Sequence, residues 1–144
     1  MKNFRFNLEN ILQIKKFNEE ECRMALGLAI SLLNEIENKI KQTAQKQHTA
    51  ASQRYNDTSN LMVWNNYIER LEREIDELLE KAAKAQIVVD EKREIYMEAF
   101  REFKALEKLK ERKEKEYIKE MENKQSIEVD EMYAARKINE LRDN

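Results

Sequence analysis

Proline is absent from these 144 residues and glycine occurs once, at Gly27. Those two residues are the strongest interrupters of regular structure, so their scarcity removes most obstacles to very long helices. Cysteine is also single, at Cys22, which excludes an internal disulfide and suits a reducing compartment. The one histidine, His48, lies in the polar run Gln45-Lys46-Gln47-His48-Thr49, with no metal-ligating residues at site spacing. There is no glycine-rich phosphate loop, and the carboxylates alternate with bases instead of standing as a pair suited to acid–base work. Catalysis, a cofactor and a metal are therefore not expected. No apolar run approaches the ~20 residues of a membrane span. The start, Met1-Lys2-Asn3-Phe4-Arg5-Phe6-Asn7, lacks the apolar stretch and cleavage site of a signal peptide.

What is abundant is charge: 39% of residues are Asp, Glu, Lys or Arg, with 27 basic and 29 acidic side chains. The signs are interspersed, as in Lys108-Leu109-Lys110-Glu111-Arg112-Lys113-Glu114-Lys115-Glu116, which describes a solvated helix surface. A nucleic-acid binder would gather its basic charge on one face, so nucleic acid is not an expected partner. Hydrophobic residues still make up 41%. With a mean hydropathy of −0.90, that is too little for a thick core but enough for a narrow seam.

The apolar residues have that seam's spacing. A 4-3 repeat begins Leu8, Leu12, Lys15, Glu19, Cys22, Leu26, Ala29 and continues Leu33, Ile36, Ile40, Thr43, Gln47, Ala50. Asn7 would cap this first helix, with Phe6 and Ile11 at the spacing of a hydrophobic staple. Turn formers then cluster at Tyr55-Asn56-Asp57-Thr58-Ser59-Asn60. A second repeat starts Leu61, Trp64, Ile68, Leu71, Ile75, Leu78, Ala82 and runs on through Ala85, Val89, Lys92, Tyr96, Ala99, Phe103, Leu106. A heptad this long argues for a coiled coil. Glu69–Arg73, Glu77–Lys81, Glu80–Lys84 and Glu111–Lys115 add favourable pairs four apart on outer faces.

Folded at Asp57, the arms back to Leu8 and forward to Leu106 have nearly equal lengths, roughly 75 Å at 1.5 Å per residue. Pairing would place Leu26 near Val89 and Leu106 near Glu9. The expected fold is therefore all-α: a long two-helix antiparallel coiled coil, or helical hairpin, with a C-terminal helical overhang. It is read as one domain over 1–144, with helix 1 about 7–54, a turn about 55–60 and helix 2 about 61–141. The second helix would be unpaired beyond about residue 107, with a break near Gln125-Ser126 as an option. Such a chain is expected to be a monomer on its own. Tyr67, Leu79, Val88, Ile95, Phe100 and Leu109 flank the seam, as a widened stripe under the partner helix or as a docking surface.

The opening Phe4-Arg5-Phe6-Asn7-Leu8-Glu9-Asn10-Ile11-Leu12 resembles the F-x-F-x-L-x-x-(I/V)-L start of the FliJ family of flagellar type III export proteins. Trp64-Asn65-Asn66-Tyr67-Ile68-Glu69-Arg70-Leu71-Glu72-Arg73-Glu74-Ile75 is similar to the family's segment after the turn. Leu106-Glu107-Lys108-Leu109-Lys110-Glu111-Arg112 and Val129-Asp130-Glu131-Met132 resemble its C-terminal portion. The resemblance implies a coiled coil like the central stalk of rotary ATPases. It further implies a soluble cytoplasmic protein, peripheral to the inner membrane at the flagellar base, with three partners: the hexameric export ATPase, the export gate's membrane protein and the export chaperones. Phe4, Phe6, Leu8, Ile138 and Leu141 would meet the ATPase at the end carrying both termini. By the same resemblance Tyr67, Leu71, Glu74 and Leu78 would meet the gate, although Glu74 stands where the family has a small residue and the seam claims Leu71 and Leu78. The alternatives are the equivalent stalk of a virulence secretion system, or a general coiled-coil chaperone or scaffold.

Overall fold

A computed structural model describes residues 3–143 of the chain. Two long helices, α1 (Glu9–Asn56) and α2 (Leu61–Asp143), are joined by a short 3-10 turn at Thr58–Asn60. The fold is the helical hairpin that the two repeats describe. Contacts group the chain into two units, Met1–Lys16 with Arg101–Asn144 and Phe17–Phe100.

The seam explains the pairing. Every position of the first repeat, from Leu8 to Ala50, is buried or half-buried in the folded chain. On α2 the same holds from Trp64 to Leu106, and only the first position, Leu61, is exposed. In the Phe17–Phe100 unit the core centres on Ala29, Leu33 and Val89, with Leu26, Ile30, Ala82 and Ala85 packed against them. Small Ala29, Ala82 and Ala85 share this cluster with larger Leu26, Ile30, Leu33 and Val89, a mixture of sizes that favours close packing. Leu26 and Val89 thus share one cluster, as the folded-back pairing requires.

Two polar residues sit in this seam at low exposure. Glu19 is 6% exposed, with Arg23 at 3.9 Å as an ion-pair partner on the same helix. Thr43 returns its hydroxyl to the Lys39 carbonyl at 2.8 Å, so its burial leaves no donor wasted. Polar seam residues lower stability while restricting the register in which two helices can pair.

The turn is closed by one carboxylate. The Asp57 amide still donates to Gln53 O (2.9 Å), which ends α1. Its side chain then accepts from Ser59 Oγ (2.8 Å), Asn60 Nδ2 (3.3 Å) and Trp64 Nε1 (3.4 Å), gathering the first turn of α2. Those bonds, Ser59's first, hold the Asp57 carboxyl below the ordinary aspartate range. Arg54 Nη1 donates to Asn65 Oδ1 at 2.8 Å across the bend. Among the described residues none has a positive φ, so the reversal is made without a glycine.

Three expectations are corrected. The first bonded turn of α1 runs from Leu8 O to the Leu12 amide, so helix begins at Glu9 and Asn7 lies outside it. α2 passes through Gln125-Ser126 without a break, because neither residue removes a backbone donor. Pairing also does not stop near residue 107: Glu9 meets Lys110 at 2.9 Å, one turn past Leu106, and Phe4 reaches Tyr117. The non-helical residues ahead of α1 supply this extra cover.

Leu71, 2% exposed in the seam, should lose about 2–5 kcal/mol on Leu71→Ala, the usual range for a buried leucine, read by denaturant unfolding. Gly27 has open space where a Cβ would go and no positive φ. Gly27→Ala should therefore stabilise the chain by about 0.5–1 kcal/mol in the same assay.

Candidate functional site

Among the described residues no group of three or more His, Cys, Asp or Glu is placed to hold a metal ion. His48 is exposed, and Cys22 is half-buried with its thiol 3.8 Å from Asn18 Oδ1. No described helix is long and apolar enough to cross a membrane. The residues expected to meet partners lie on the surfaces described next.

The first such surface is the end of the unit formed by Met1–Lys16 and Arg101–Asn144. Two ion pairs link its helices, Lys15 Nζ to Glu102 Oε2 at 2.8 Å and Lys110 Nζ to Glu9 Oε2 at 2.9 Å. Lys15 occupies a seam position, and reaching Glu102 lets its stem stay in the seam while its charge is paired. Hydrogen bonding from Lys110, then from Gln13, holds the Glu9 carboxyl below the ordinary glutamate range. Ahead of α1, Phe4, Phe6 and Leu8 are half-buried against α2. The Phe4 ring lies 5.6 Å from that of Tyr117, tilted by 45°. A cavity of about 460 Å³ opens there, lined by this segment together with Leu109, Lys113, Glu116, Tyr117 and Glu120.

The other two residues expected at this end are elsewhere. Ile138 is 56% and Leu141 74% exposed, near the end of α2. Ile138 lies ~31 Å beyond Tyr117 at 1.5 Å rise per residue. The five residues therefore fall in two separate regions, since α2 is continuous helix where a return of the tail would be needed to join them. With Ile138 and Leu141, Ile127, Val129, Met132 and Tyr133 also stand exposed on the tail.

The expected gate stripe divides likewise. Tyr67 is half-buried, edge-on to Trp64 at 6.3 Å and under the Arg70 guanidinium at 5.2 Å. Glu74 is exposed and Leu78 half-buried beside Thr43, Lys46 and Lys81. Leu71 is shut inside the seam and is not available to a partner in this state. Of the residues flanking the seam, Leu79, Val88, Ile95 and Phe100 are exposed, while Tyr67 and Leu109 are partly covered.

One exposed apolar set escaped the sequence reading. Phe17, Met24, Leu28 and Leu32 of α1 are each more than half exposed, Met24 at 75%. Their spacing of seven, four and four is helical and offset from the seam, which was the available signal. Scattered exposed hydrophobics are ordinary, whereas a row of them on one helix is a candidate docking face.

Two long helices closed along one heptad seam define a helical hairpin of coiled-coil type. The chain matches the family described as Flagellar FliJ protein over residues 4–142, and it belongs to that family. It is thereby a component of the flagellar export apparatus. No curated protein and no solved structure matches it.

Acid should act on the end that Glu9 ties down. The folded state depresses the Glu9 carboxyl, so its contribution is present above the ordinary glutamate range, about pH 4, and is lost as pH falls through the lower folded value. Thermal melts from neutral pH downward should show a shallower acid limb in Glu9→Gln than in the wild type.

Proposed function

We propose that this chain is the stalk of the hexameric flagellar export ATPase, which it helps assemble and couples to the export gate and to export chaperones. Family membership over nearly the whole chain supports the setting. The observation that carries the reading is the α2 end: from Glu122 to Asp143 it is continuous helix with every side chain exposed, including Ile138 and Leu141. A lone helix without a packed face is only marginally stable in water, so such an end is suited to insertion between other subunits. The ring would gain the apolar area of Ile138, Leu141 and their neighbours, worth about 25 cal/mol per Å² removed from water. Phe4, Phe6 and Leu8 supply a second, separate contact.

The gate contact falls on the accessible part of its expected stripe, Tyr67, Glu74 and the edge of Leu78, with Leu71 supporting them from the seam. Chaperones would use one of the exposed apolar rows. Work at the cytoplasmic face of the membrane follows from these partners, with the chain held there by protein contacts.

Ile138→Asp with Leu141→Asp tests the stalk reading without touching the seam. The double variant should melt like the wild type yet fail to stimulate the cognate flagellar ATPase hexamer, measured as phosphate release. Unimpaired stimulation would refute insertion of this end.

A further inference from the structure

α1 begins at Glu9, yet α2 is covered well past the residue that faces Glu9. Lys110 pairs with Glu9, and two turns further on Tyr117 is still half-buried. Asn3–Asn7, which is not helical, lies along this stretch of α2 with Phe4 on the Tyr117 ring. Past Tyr117, Met121 is the last side chain with any shelter, and Glu122 to Asp143 are all exposed.

Helix without tertiary support frays from its free end, and fraying advances until it meets a residue held by packing. With the N-terminal segment seated, that residue is Tyr117. With the segment lifted, it is Lys110. The segment is also suited to lifting. It is anchored through two half-buried aromatic rings, Phe4 and Phe6, while Asn3, Arg5 and Asn7 beside them are exposed.

We propose that Asn3–Asn7 is a releasable strap that sets how much of α2 stays folded. Seated, it props the helix out to Tyr117 and steadies the tail beyond. Taken up by a partner through Phe4 and Phe6, it lets α2 loosen back toward Lys110. The two ends of the chain are thereby coupled: binding at the N-terminal aromatics changes the order of the segment bearing Ile138 and Leu141. The coupling is a property of the chain alone and does not depend on which protein captures the strap.

Hydrogen exchange on the full chain tests it, with peptides from 17–100 as the internal check that the hairpin is intact. Phe4→Ala with Phe6→Ala, which leaves α2 untouched, should lower protection over 111–124 by about threefold or more, while 17–100 is unchanged. Tyr117→Ala sharpens the test, because alanine is the better helix former and intrinsic propensity alone would raise protection there. The strap predicts a fall in Tyr117→Ala. Unchanged or increased protection over 111–124 in either alanine variant would overturn the proposal.

Discussion

Exclusion of water from one narrow seam is the interaction on which this molecule depends. A helix this polar cannot bury itself in a thick core, and it has a single stripe to offer. Two such stripes, each repeating every three and four residues, can only satisfy each other by lying side by side. Leu12, Ala29, Leu33, Ala50, Leu71, Val89 and Ala99 are the points where that closure is most complete. Everything outward of the seam is free to be charged, which gives the chain its solvated surface and leaves room for docking rows.

The turn adds direction to this pairing. Asp57 ends one helix with its amide and opens the next with its carboxylate, so a single residue links the two stripes in antiparallel sense. Polar residues within the seam limit sliding: Lys15 is placed where Glu102 can take its charge, and Glu9 where Lys110 can. A shift of one turn would separate both pairs. Charge at the seam's edge thus specifies which residues face one another, at some cost in burial energy.

The hairpin was legible because periodicity is written directly in residue type. The first repeat located the covered face of α1 from Leu8 to Ala50, even at Lys15, Glu19 and Gln47, whose side chains alone suggest exposure. What periodicity does not encode is non-helical chain. Asn3–Asn7 has no repeat to read, so the seam pattern ends near residue 107 and carries no sign of this segment's return along α2 to Tyr117. Surface rows are hard to read for a related reason. Phe17, Met24, Leu28 and Leu32 have helical spacing, but a stronger apolar pattern on the same helix masks theirs. The candidate site residues fared unevenly for one cause: the seam claims Leu71 fully, Tyr67 and Leu78 in part, and leaves Ile138 and Leu141 in solvent.

Family membership sets this helical hairpin in the flagellar export apparatus. The pairing of its helices depends on the chain doubling back at Asp57. Cysteines at positions 26 and 89 test that most directly, through Leu26→Cys and Val89→Cys in a Cys22→Ser background. Both native residues belong to one packed cluster. Mild oxidation of dilute protein should give a bridge within single chains, seen as a monomer whose digestion products remain linked until reduced. Bridges that form only between chains would contradict the hairpin.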